Sequence, residues 1–146
     1  MADTLKERLR EDLNAARRER DKLRTLVLTT TLSELKNQEI ALGRAAGDAD
    51  VLEVLTRAVK RRREAAEQMR QGGREELALK EEQEEKLLTS YLPQPLTEAE
   101  VRALARAAVA EGAGTVGAVM SRLMPAIKGR YDGKDANRIA HEELGA

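Results

Sequence analysis

The sequence contains no cysteine, phenylalanine or tryptophan, and only two tyrosines, one histidine and three prolines among its 146 residues. Without cysteine there is no disulfide framework and no thiolate site, and the chain suits a reducing compartment. With so few aromatics the core has to be built from Leu, Val, Ile, Ala and Met. That is the composition of packed helices rather than of a sandwich or barrel. No run approaches ~18 apolar residues, which excludes a spanning helix and predicts no membrane partner. Residues Met1 to Arg10 are charged and lack an apolar central segment, so they do not read as a signal peptide, and the expected compartment is the cytoplasm. Net charge is missing as well. The 26 basic and 26 acidic residues cancel, 19 against 19 through Tyr91 and seven against seven beyond it. Bulk charge therefore predicts no polyanion partner and no DNA binding, although a local patch can still hold phosphates.

What is present is helical periodicity, broken decisively at one place. Pro93 and Pro95 cannot sit inside a helix, and they steer Leu92 and Gln94 into extended geometry. Thr97 and Glu100 follow at capping-box spacing and announce a new helix. The expected architecture is all-α: a helical N-terminal subdomain of about four helices over 1–92, a Pro hinge at 93–97, and a three-helix tail subdomain over 98–146.

In the first part, Thr4 and Glu7 precede Leu5, Leu9 and Leu13, an amphipathic first helix. Asp21 is the candidate cap of a second, whose apolar stripe reads Leu26, Val27, Thr30, Leu35 and Leu42. Gly43 and Gly47 mark a loop, and Asp48 or Asp50 opens a third helix with Val51, Leu55, Val59, the stem of Arg62, Ala66 and Met69 inward. Its other face carries Arg57, Lys60, Arg61 and Arg63. Gly72 and Gly73 stop it. The fourth helix, 74–91, is rich in Glu and should run antiparallel to the third, neutralising it. Beyond the prolines, Val101, Leu104, Ala105 and Ala108 form a fifth helix ended by Gly112 and Gly114. Thr115 caps a sixth, which Pro125 kinks or shortens, and Asp132 or Lys134 opens the last.

Catalytic chemistry finds no support. His141 is the sole histidine and reads as a surface residue, no carboxylate spacing repeats a metal motif, and no strand precedes Gly112, Gly114 and Gly117 to make a phosphate loop. Nothing isolates an acid–base pair among the many Glu residues. The expectation is no catalytic residue, no metal and no cofactor. The informative stretch lies near the C-terminus. Over Gly117 to Leu144 five basic residues (Arg122, Lys128, Arg130, Lys134 and Arg138) are set against Asp132 and Asp135, and the stretch is expected to be net basic. Lys128, Arg130 and Lys134 flank a turn where free helix N-terminal donors beside cations would suit a phosphate oxygen. Cations complementing a helix dipole explain Lys128 and Arg130 equally well, and composition leaves both open.

The run Gly117-Ala118-Val119-Met120, then Leu123-Met124-Pro125, Lys128-Gly129-Arg130, Asp132-Gly133-Lys134 and Asn137, resembles a stand-alone member of the GatB/YqeY family. So do Leu35-Lys36-Asn37 with Glu39-Ile40, Arg61-Arg63-Glu64, Gly73-Arg74 and Tyr91-Leu92-Pro93. The resemblance implies a helical subdomain followed by a three-helix tail. That tail is similar to the C-terminal domain of the B subunit of glutamine-dependent aminoacyl-tRNA amidotransferase, a carbon–nitrogen ligase whose tail grips tRNA while other domains do the chemistry. By this resemblance the chain is expected to bind tRNA and to associate with an amidotransferase or other translation proteins. Lys128, Gly129, Lys134 and Asn137 sit where the tail has like residues, Arg130 occupies a lysine-like place, and Arg138 follows. Between Met120 and Lys128 this chain has about one more helical turn than that tail. Contacts would be to phosphates and shape rather than by base stacking. Arg61 and Arg63 are a possible extension of the surface. The rival expectation is a helical protein-interaction module that binds no RNA.

Overall fold

The computed structural model describes residues 3–146, and within it the chain divides into two compact units, Met1–Leu92 and Pro93–Ala146. All regular structure among the described residues is α-helical, with no strand. The N-terminal unit holds α1 (Leu5–Arg18), α2 (Lys22–Leu42), α3 (Asp48–Gln71) and α4 (Glu75–Thr89). The C-terminal unit holds α5 (Glu98–Ala110), α6 (Val116–Ile127) and α7 (Gly133–Leu144).

Most helix starts follow from a local side chain that satisfies a backbone donor otherwise left over in the first turn. Thr4 accepts from Glu7 N–H, Asp21 from Arg24 N–H and Thr115 from Ala118 N–H, each at 3.0–3.1 Å. Thr97 and Glu100 complete the expected reciprocal box. The third helix departs from expectation. Gly47 is its cap, Asp50 returns to accept from Gly47 N–H at 2.9 Å, and Asp48 lies inside the first turn. The Asp48 carboxylate is used elsewhere, accepting from Leu5 N–H at the start of α1. Gly73 ends the α3 region at φ +77°, a left-handed position that a Cβ would strain, and lets Arg74 N–H close onto Met69 O at 2.8 Å.

The core of the N-terminal unit gathers Leu9, Leu13, Val27, Leu28, Leu35 and Leu55, closed at its end by Leu88 and Tyr91. Fully burying each such leucine contributes roughly 1.5–3 kcal/mol. On α2 the expected stripe is displaced. Val27, Leu28, Thr31 and Leu35 are buried, whereas Leu26, Thr30 and Leu42 are exposed. Leucines on both sides of α2 make the sequence pattern ambiguous by one position, and packing settles it with the stripe 27, 28, 31, 35. The buried Thr31 hydroxyl remains satisfied by donating to Val27 O. Met69 is half-buried and Leu104 is 37% exposed, so neither belongs to the cores for which periodicity marked it.

Helices α3 and α4 run antiparallel, as their ion pairs show: Arg63 meets Glu85, and Arg70 meets both Glu82 and Glu75. Tyr91 ties the end of this pair back to α1. Its hydroxyl donates to the Asp12 carboxylate and the Arg8 guanidinium lies 4.8 Å from its ring centre. Burial, then the Asp12 carboxylate, pushes its phenol well above the ordinary tyrosine value.

In the C-terminal unit Val101, Val119, Leu123, Ile127, Ala136 and Ile139 form a second core. Pro125 stands inside α6, two residues before its end at Ile127, where it forfeits only one late backbone donor. No described helix is long and apolar enough to cross a membrane.

Candidate nucleic-acid interface

The turn between α6 and α7 is set by where the backbone of α6 stops. Ile127 O accepts from both Arg130 N–H (2.8 Å) and Tyr131 N–H (3.0 Å), which folds the chain sharply past Lys128 and Gly129. Gly129 sits at φ +74° with no atom within 4 Å of where a Cβ would be, so it is the backbone conformation and not lack of room that asks for glycine. Lys128 and Lys134 are exposed on either side of the turn, and Asn137 is exposed one turn along α7. Lys134, Asn137 and Arg138 are spaced i, i+3, i+4, which puts them on one face of that helix. The residues singled out in the sequence around this turn therefore do come together.

The two arginines, Arg130 and Arg138, have partners within the C-terminal unit. Arg130 is half-buried, and its Nε donates to Gln94 O at 2.8 Å while its own carbonyl accepts from Leu96 N–H at 2.8 Å. It thereby pins the proline-containing segment to the turn. Arg138 pairs with Glu142 at 3.0 Å and Glu98 at 3.4 Å. Glu142, then Glu98, holds its guanidinium above the ordinary value.

The helix N-terminus also differs from expectation. Asp132 caps α7, its Oδ1 accepting from Lys134 N–H at 2.7 Å and Asp135 N–H at 3.3 Å. Those amides are not free for a phosphate, and a carboxylate stands in their place. Glu142 and Glu143 also lie between Gly117 and Leu144, so the expected basic excess is smaller: five basic residues meet four acidic and the net is +1. Any phosphate contact here rests on side-chain cations rather than on a helix dipole.

Sequence patterning missed a cluster at the other end of α7. Arg102 on α5 reaches Glu98 (2.9 Å), Glu142 (2.8 Å) and Glu143 (2.9 Å), and Arg106 reaches Glu143 at 2.8 Å. Glu143 is buried, and Arg102 followed by Arg106 holds its carboxyl below the usual range. The available signal was that Glu143 lies on the apolar face of Ala136, Ile139 and Ala140, a register that demands a partner.

In the N-terminal unit, Arg61 pairs with Glu34 on α2 and Arg63 with Glu85 on α4. The basic face of α3 is thus largely neutralised by its neighbours. His141 is exposed, and no group of three or more metal-ligating side chains occurs among the described residues.

The sequence profile of the Yqey-like protein family matches residues 6–144, nearly the whole chain, and the protein belongs to that family. No curated protein matches it.

Proposed function

We propose that this member of the Yqey-like family is a tRNA-binding accessory protein of the cytoplasm, holding folded RNA by its phosphates and leaving the chemistry to an amidotransferase or other translation protein with which it associates. The observation that carries the proposal is the exposed pair Lys128 and Lys134 on either side of the Gly129 turn, with Asn137 on the same face as Lys134. Lysine heads can track phosphate oxygens without fixed geometry, as a folded RNA corner requires. Arg130 supports the turn through Gln94, and Arg138 joins a phosphate only by leaving Glu142. Arg61 and Arg63 would likewise have to leave Glu34 and Glu85. The choice of tRNA, and the association with carbon–nitrogen ligase chemistry, rests on the resemblance of the tail to the amidotransferase B subunit.

Binding of bulk tRNA and of duplex DNA at 50 and 200 mM salt tests this. With about three phosphate contacts, tRNA affinity should fall roughly 20- to 40-fold between those salts. The double variant Lys128→Glu, Lys134→Glu should abolish most of it, and duplex DNA should bind more weakly throughout. Binding of tRNA that the double variant leaves unchanged overturns the proposal.

A further inference from the structure

The N-terminal unit buries one carboxylate for which it provides no ion pair. Glu84 on α4 is only 8% exposed, yet it forms no salt bridge with any described residue. It lines a groove of about 370 Å³ contributed by α2, α3 and α4. The charged groups around it come from all three helices. Glu81 lies one turn earlier on α4 and faces it with a second carboxyl, and Lys80 acts from the same helix. From α3 comes Arg62, while Arg61 and Glu34, across the groove, are already paired with each other. Burial first, and the Glu81 charge second, push the Glu84 carboxyl above the usual range.

Arg62 does not resolve the imbalance. Its Nη1 donates to Ala58 O at 3.1 Å, and its Nε is buried with no acceptor. The groove's lining therefore holds three carboxylates and two guanidiniums, and with Glu34 paired to Arg61 the carboxyls left without a salt bridge among the described residues are Glu81 and Glu84. Its apolar wall is Leu26, which stays 52% exposed although it sits on a helix with a well-filled core face, together with Ala65 on α3. An occupant that fits needs an apolar stem to lie on Leu26 and a cationic head with several donors to reach two carboxyls.

We propose that this groove receives an arginine side chain of a partner protein, its stem on Leu26 and Ala65 and its guanidinium against Glu84 and Glu81. A forked, planar cation can serve two carboxyls at once, and a guanidinium sheds water at less cost than an ammonium. No group of three or more metal-ligating side chains occurs here among the described residues. The occupant gives the buried carboxylate the ion pair it lacks. This site belongs to the N-terminal unit alone and does not depend on the tRNA proposal.

The test uses the full chain with ¹³C-labelled glutamate and a blocked pentapeptide holding one arginine among alanines. The control peptide carries citrulline, the uncharged isostere. The arginine peptide should move the Glu84 carboxyl resonance saturably and lower its titration midpoint. Citrulline should bind about ten- to a hundredfold more weakly, the worth of a charge-assisted hydrogen bond. Glu84→Gln should abolish the accompanying response of the Glu81 carboxyl to arginine, and the exposed substitution Leu26→Ala, which leaves the core untouched, should weaken binding about threefold. Equal responses to arginine and citrulline overturn the proposal, as does the absence of a saturable shift. A shift produced by spermidine or Mg²⁺ but not by the arginine peptide overturns it too, in favour of a free cation.

Discussion

Glu84 and Glu143 are the same residue, each 8% exposed and each on the last helix of its unit, yet their carboxyls are driven in opposite directions. Glu143 meets two guanidiniums, Arg102 at 2.9 Å and Arg106 at 2.8 Å, and is held ionised. Glu84 meets a second carboxyl and forms no salt bridge with Arg62 or Lys80, and burial favours its neutral form. Burial alone thus says little about a carboxylate's charge, because the donors that accompany it into the interior decide. The difference also sorts structure from candidate function. A buried acid with its full complement of partners belongs to the architecture of the C-terminal unit, and one without them is what a ligand would complete.

The largest perturbations establish which residues report on which unit. Ile139→Ala removes a fully buried side chain from the core around Glu143 and should cost ~2–5 kcal/mol, read as faster amide exchange across α5–α7. Leu55→Ala should do the same across α1–α4. If Ile139→Ala left exchange in α7 unchanged, Glu143 could not be treated as part of a packed core.

The sharper test is one substitution made twice. Glu143→Gln should destabilise the C-terminal unit at pH 7, and Glu84→Gln should stabilise the N-terminal unit. The pH dependence has opposite sense at the two sites. Glu143 titrates below its unfolded value of 4.5, so its stabilisation is fully present above that value and is lost as pH falls through the folded one. Glu84 titrates above 4.5, so its penalty is fully present above the raised folded value and vanishes as pH falls below 4.5. The gain from Glu84→Gln should therefore disappear in mild acid, where the loss from Glu143→Gln still persists in part. Thermal melts of both variants at pH 7 and pH 4 check this, and the same sign at pH 7 would break the comparison.

How much of this was legible in the sequence depends on the distance over which each interaction acts. The caps at Thr4, Asp21, Thr97, Thr115 and Asp132 work within two or three residues, so spacing reveals them. The neutralisation of α3 by α4 was legible because Gly72 and Gly73 force the two helices alongside each other. The buried face of α2 was not, since Leu26 and Leu28 lie on opposite sides of Val27 and only tertiary packing chooses between them. Around the candidate RNA turn the cations could be read, but their employment could not: Arg130 finds Gln94 across 36 residues and Arg102 finds Glu143 across 41. The two buried glutamates left a fainter signal. Glu84 shares a helical face with Leu87 and Leu88, as Glu143 does with Ile139 and Ala136, and an acid in an apolar stripe marks a group whose partner has to be sought.

The smallest expected effect separates the two causes acting on Glu84. Burial comes first and the neighbouring Glu81 second, so Glu81→Gln should move the Glu84 midpoint only part of the way back toward 4.5. The readout is the ¹³C shift of the Glu84 carboxyl against pH, which follows that group irrespective of global stability. A full return to 4.5 would make Glu84 one half of a coupled carboxyl pair, with desolvation a minor contributor. No movement would leave burial as the whole cause and remove Glu81 from the arginine site. Only the partial shift keeps both features that the groove needs: a carboxyl desolvated by α2 and α3, and a second one near enough for a single guanidinium to span the pair.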